Sequence, residues 1–124
     1  MKYENEYLRL LIGKRVVNVD WSTDLTISRE KDKQTAEHII SSEYVQLFIE
    51  EYRLNINNPY SIMPEHIGIA DLIGLIVVST VKRDFDAEIV FDNGCSLIID
   101  MRDEVYTDPE AMVLYCPGFW AVWN

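Results

Sequence analysis

Two cysteines, two histidines, five glycines and four prolines are few for 124 residues, and each scarcity narrows what the chain can be. Cys95 and Cys116 lie far apart with no second ligand pair nearby, so neither a disulfide scaffold nor a zinc-type Cys spacing is present, and two reduced thiols are expected. His38 and His66 belong to no H-E-x-x-H motif, and Glu65 beside His66 diverges from it on a helix, so both read as solvated or helix-terminal histidines. Few Gly and Pro with 48% hydrophobic residues predict an ordered fold. The longest uncharged apolar run, Leu72 to Val81, is ten residues and too short to span a bilayer as a helix. No basic start followed by an apolar stretch marks a signal peptide, so a cytoplasmic protein is expected. Neither G-x-S-x-G nor a phosphate-cradling glycine loop occurs, and paired acids for glycoside chemistry would need a cleft that no spacing here defines. The expectation is a protein that is not an enzyme and needs no cofactor or metal.

Basic residues are the other shortage. Eleven Lys and Arg against 21 Asp and Glu leave a net charge of −10. That disfavours nucleic acid, whose binding depends on cations at phosphates, and anionic membranes for the same reason. The charge is uneven: residues 82–110 hold nine acids against Lys82, Arg83 and Arg102, whereas residues 1–28 balance to zero. Such a concentration suits a face for a basic partner, and Asp100, Asp103, Glu104, Asp108 and Glu110 with Tyr106 among them are the candidate partner-binding residues. Asp100 and Arg102 in "DMRDE" share a strand face and suit a surface ion pair.

A length of 124 residues fits one domain, residues 1–124, burying about 65% of its unfolded surface. "ENEYLRLLI" (Glu4 to Ile12) predicts a short amphipathic helix through Tyr7, Leu8, Leu11 and Ile12, closed by Gly13. "KRVVNVDW" alternates with Val17, Val19 and Trp21 on one face, and Leu25 to Arg29 can return as the second arm of a hairpin. Glu30 to Glu43 reads as a polar surface loop or a strand extension, with one helical turn at Thr35 to Ile40 as the other reading. Tyr44 to Ile56 resumes β character as a bent strand or a wide hairpin, because Glu50-Glu51 is poor two-residue turn chemistry. "NNPYSIMP" reads as a loop, and Pro64 can open a second short helix running to Ile73, ahead of Gly74. Asp92-Asn93-Gly94 is the clearest hairpin signal, and Cys116-Pro117-Gly118 marks a turn between two last strands, on which Trp120 and Trp123 take opposite faces. The predicted class is α+β: a mainly antiparallel β-sheet of seven to nine strands with two short helices.

"LIGKRVV" (Leu11 to Val17) and "LIGLIVV" (Leu72 to Val78) share a skeleton at an offset of 61, and Phe48, Leu54 and Ile56 align with Phe91, Leu97 and Ile99 at 43. Two helix-plus-β-meander pseudo-repeats account for this. So does the common vocabulary of apolar cores, and Trp21 falling on Lys82 favours that second account.

"FDNGCSLIID", "DPEAMVLYCPGFWAVW" and "YRLNINNPYSI", together with the charge, give the chain a resemblance to small acidic bacterial immunity proteins of the polymorphic-toxin and contact-dependent growth inhibition type. The resemblance spans most of the chain, but its motifs are structural and carry over no binding residue. It implies a cytosolic protein that binds and neutralises a cognate toxin domain, often a nuclease, with no catalysis of its own. The other class left open is a ligand-binding or adaptor module with an apolar pocket in its sheet.

Overall fold

The computed structural model describes residues 7–24, 42–102 and 111–123. Nine strands run β1 Val16–Asp24, β2 Ser42–Ile49, β3 Tyr52–Ile56, β4 Tyr60–Met63, β5 Val77–Lys82, β6 Asp86–Phe91, β7 Ser96–Asp100, β8 Met112–Cys116 and β9 Phe119–Trp123. They form two antiparallel sheets, a five-stranded one in the order β1-β2-β3-β8-β9 and a four-stranded one in the order β4-β7-β6-β5. One face of each is apolar by simple alternation: Val45, Leu47, Ile49, Leu54 and Ile56 in the first, Ala87, Ile89, Phe91, Leu97 and Ile99 in the second. All ten belong to a single buried cluster, so the two sheets share one core.

The α+β class is corrected by these elements. Among the described residues no α-helix element occurs, only two 3-10 turns, Arg9–Leu11 and Ile69–Leu72, and the class is all-β. Part of the expected first helix, residues 4–6, lies outside the described residues. In the remainder Tyr7 and Leu8 are helical and lead directly into the 3-10 turn; Leu8 and Leu11 are fully buried while Tyr7 and Ile12 are exposed. The expected second helix fails at Gly68, an extended residue whose N–H is held by Asp71 Oδ2 at 2.8 Å. The expected loop before it contains β4. Leu25 to Arg29 and most of the polar stretch lie outside the described residues; the partner of β1 is β2.

The repeating unit is therefore a 3-10 turn followed by a three-stranded meander, and the two copies clasp each other. Gly13 N–H donates to Val77 O at 2.7 Å, and Gly74 N–H donates to Val16 O at 2.8 Å. Val16 N–H donates to Leu75 O at 2.8 Å and Val77 N–H to Lys14 O at 2.9 Å. Each of these pairs maps onto the other by the 61-residue offset, with Arg15 and Ile76 bridged between them. Both first strands carry a bulge at the same place, Val16/Asn18 and Val77/Ser79. That bulge turns Val17 outward, 52% exposed, and leaves Val16 and Val19 on the buried side. The strand after each meander crosses to the other sheet: β4 pairs with β7, and β8 pairs with β3. The crossing chains repeat the reciprocity, with Asn57 N–H on Ala111 O and Asp100 N–H on Pro59 O, both at 2.9 Å.

One alignment shifts. Ile49, and not Phe48, is the structural counterpart of Phe91, since each stands opposite the bulged Val16 or Val77. The first hairpin turns in two residues, Glu50-Glu51, with φ +51° at Glu50, whereas the second uses Asp92 to Cys95 with φ +90° at Gly94. At both turns an acid side chain accepts an amide from the junction: Glu50 Oε2 from Arg15 N–H at 2.8 Å, and Asp92 Oδ1 from Ile76 N–H at 3.2 Å.

Candidate functional site

Strand alternation that buries Ala87, Ile89, Leu97 and Ile99 sends Asp86, Glu88, Ile98 and Asp100 to the outer face of the four-stranded sheet. The register places Asp86 directly opposite Asp100. Like charges facing each other across strands destabilise a sheet, and an arginine beside each relieves them. Arg83 Nη1 reaches Asp86 Oδ1 and its Nη2 reaches Glu88 Oε1, both at 2.7 Å. Arg102 Nη2 reaches Asp100 Oδ2 at 2.7 Å, and its Nε reaches Oδ1 at 2.9 Å. The Arg102 hydrogen bond holds the Asp100 carboxyl below the ordinary carboxylate range against the opposing effect of burial. Bonds to Glu88 and Asp86 raise the Arg83 guanidinium above its ordinary value.

Beside this row lies an open groove of about 410 Å3, lined by Tyr60, Phe85 and Ile98 together with Asp86, Asp100 and Arg102. Phe85 is positioned by its own backbone, whose carbonyl accepts Met101 N–H at 2.9 Å, and its side chain is 68% exposed. The floor under Asp100 is fixed by Asn58, buried at the β3–β4 crossing, whose Nδ2 donates to Asp100 O at 2.7 Å.

Of the residues chosen from charge, Asp100 lies in the described part, at this groove and paired with Arg102, as its spacing suggested. Asp103, Glu104, Tyr106, Asp108 and Glu110 lie outside the described residues. Within residues 82–102 three bases meet five acids; Asp86, Glu88 and Asp100 are ion-paired and Asp92 is engaged at the junction. The unbalanced charge of this third of the chain therefore falls mainly in residues 103–110.

A second surface was not legible from sequence. On the outer face of the five-stranded sheet, Phe48, Arg53, Tyr115 and Trp120 stand in one row across β2, β3, β8 and β9. The Arg53 guanidinium lies 4.3 Å from the Tyr115 ring centroid, a cation–π contact, and its Nε is buried with no hydrogen-bond partner. Trp120 is 66% exposed while Trp123, on the other face, is fully buried. The alternation of the two tryptophans was readable, but the row depends on cross-strand register, which no local motif encodes.

Other chemistry-bearing groups stand apart from both surfaces. His66 is exposed, and Cys95 and Cys116 are free thiols that burial pushes above their ordinary pKa. Among the described residues no group of three or more His, Cys, Asp or Glu could hold a metal, and no helix is long and apolar enough to cross a membrane. Compared with family models, curated proteins and solved structures, the chain has no match.

Proposed function

We propose that this protein is a cytosolic immunity protein that binds and neutralises a cognate toxin domain, a basic nuclease in chemistry, through its acidic side. The observation that carries this reading is Phe85, an aromatic ring 68% exposed at the rim of a groove bordered by Asp86 and Asp100. An exposed aromatic ringed by charged groups has the make-up of an interface anchor. A nuclease must be basic to grip phosphates, so a chain of net charge −10 gains association rate against it by electrostatic steering. Asp103, Glu104, Asp108 and Glu110 extend that charge in sequence, with Tyr106 as a further anchor.

Co-purification with the product of the adjacent upstream gene tests the reading, and the absence of a complex at micromolar concentrations would sink it. Asp100→Asn with Asp103→Asn and Glu104→Gln should slow association and flatten its salt dependence, while Phe85→Ala should speed dissociation. Unchanged kinetics in both variants would move the interface elsewhere.

A ligand-binding module is the second reading. The groove favours it, since about 410 Å3 falls in the range of small-molecule sites. Against it, the lining aromatics are Tyr60 and Phe85 with no tryptophan, and both carboxylates in the groove are already paired with arginines.

A further inference from the structure

Among the described residues four strands form the sheet edges: β1 and β9 in one sheet, β4 and β5 in the other. Exposed edges invite pairing with another chain, and proteins blunt them with charge, proline, bulges or shortness. Three of these edges are blunted. β1 carries the exposed Asp20 and a bulge, β5 carries a bulge and ends in Lys82, and β4 is four residues long and stops at Pro64. β9 has no charge, proline or bulge; among the described residues the Tyr7 ring packs on its Phe119, with ring centroids 5.8 Å apart, and no strand pairs with its outer side. Its sequence "FWAVW" is wholly apolar, and its register with β8 runs without a shift.

The outward-pointing backbone of β9 follows from its hairpin. A two-residue turn, Pro117-Gly118, makes Cys116 and Phe119 the closing hydrogen-bonded pair, so Leu114/Ala121 and Met112/Trp123 are hydrogen-bonded pairs as well. Trp120 and Val122 therefore aim their N–H and C=O groups away from β8, off the open edge, where no strand among the described residues meets them.

We infer that β9 is the seam of a homodimer in which two copies pair antiparallel, edge to edge, about a two-fold axis at Ala121. This register alone sets Trp120 opposite Val122 of the second copy, and Val122 opposite its Trp120, so that every outward group of both residues is bonded. Trp120, 66% exposed in the single chain, then gains an aromatic–β-branched cross-strand contact. Ala121 meets its own copy at the axis, across a non-hydrogen-bonded pair. Phe119, 44% exposed, stands opposite Trp123 of the second copy. Charge is compatible with this occupant: neither β8 nor β9 contains a charged residue, so two chains of net charge −10 meet along a neutral seam. The two-fold closes the contact, leaving β1 and its copy as the outer edges of a ten-stranded sheet.

Light scattering after size exclusion, on the full chain at micromolar concentrations, should give twice the 14.5 kDa chain mass; a single-chain mass would overturn the inference. Trp120→Lys places a charge on the exposed seam and should return the mass to one chain with an unchanged far-UV spectrum. Ala121→Cys should form a covalent dimer under mild oxidation that wild type, with Cys95 and Cys116 alone, does not form. Across a non-hydrogen-bonded pair the Cα atoms lie about 4.5 Å apart, within disulfide reach. The cross-link reads the seam independently if Trp120→Lys fails to fold. A dimer that persists in Trp120→Lys, or that Ala121→Cys does not cross-link, would place the contact elsewhere and refute the β9 seam. None of these measurements depends on the toxin reading.

Discussion

Gly13 and Gly74 offer the sharpest test of the clasp between the two halves. Their φ angles, +88° and +95°, lie where L-residues are strained, and a Cβ built on either meets nothing within 4 Å. Ala at each site should therefore cost only the conformational penalty, about 1–2 kcal/mol. For a chain of this size that is roughly 4–8 °C in Tm. Because each amide donates to the first strand of the opposite half, the two penalties should be equal within about 0.5 kcal/mol. The double variant should cost less than their sum by a similar amount, since both act on one hydrogen-bonded junction. Urea unfolding followed by tryptophan fluorescence measures all three, with the m value unchanged as the sign that only stability has moved. A Gly13→Ala penalty several times that of Gly74→Ala would refute the equivalence of the halves. Strict additivity would refute their mechanical coupling.

The depressed Asp100 carboxyl predicts an acid-side effect. Its contribution is fully present above the unfolded value near 3.9 and is lost as pH falls through the lower folded value. Asp100→Asn should remove that part of the acid loss, under about 1 kcal/mol for a partly exposed pair, and identical stability–pH curves would contradict the pairing. Asn58→Ala leaves the Asp100 carbonyl without its donor and should cost about 1–3 kcal/mol in chemical denaturation; a neutral result would mean that Asn58 does not hold the crossing. Cys95, buried with a raised pKa, should react with a thiol reagent at mildly alkaline pH only on unfolding, and the half-buried Cys116 should react first. Equal rates would contradict the burial.

Strands were legible wherever alternation met strong turn chemistry. Asp92-Asn93-Gly94 and Pro117-Gly118 sit at the hairpins they announced, with φ +90° and +88° at their glycines. The helical spacing overstates both elements, because the pairs Leu8, Leu11 and Ile69, Leu72 are served as well by a short turn as by a longer helix, and Leu8 is the last helical residue before the first 3-10 turn. What separates the two is the tertiary clasp at Gly13 and Gly74 that stops each turn, and it is non-local. Glu50-Glu51 lacks the residue types that a two-residue turn with positive φ favours, yet Arg15 N–H on the Glu50 carboxylate helps anchor that turn from 35 residues away. The Val16/Asn18 bulge likewise moved Val17 to solvent against a clean alternation. For the candidate site, charge pointed to Asp100. The arginines that neutralise it, and the exposure of Phe85, emerge only when β6 and β7 are placed in register.

Symmetry also indicates where to look for what the protein does. The clasp, the bulges, the acid-capped turns and the exchanged strands β4 and β8 occur in both halves and account for the frame. Three features have no counterpart across the pseudo-two-fold. Phe85 and the Asp86–Asp100 row occupy the turn and outer face of the second meander; in the first, Asn57 stands at the position of Asp100, and Phe48 and Arg53 correspond to Val90 and Ser96. β9 extends the five-stranded sheet beyond the exchanged strand, whereas β4 remains the edge of its own. The net negative charge of residues 82–110 has no equivalent in residues 1–28. A stable frame needs none of these, and an exposed aromatic and an unguarded apolar edge each carry a cost in solvent. Their presence on one half only is the physical support for the two proposals, a basic partner at the Phe85 groove and a second copy at β9.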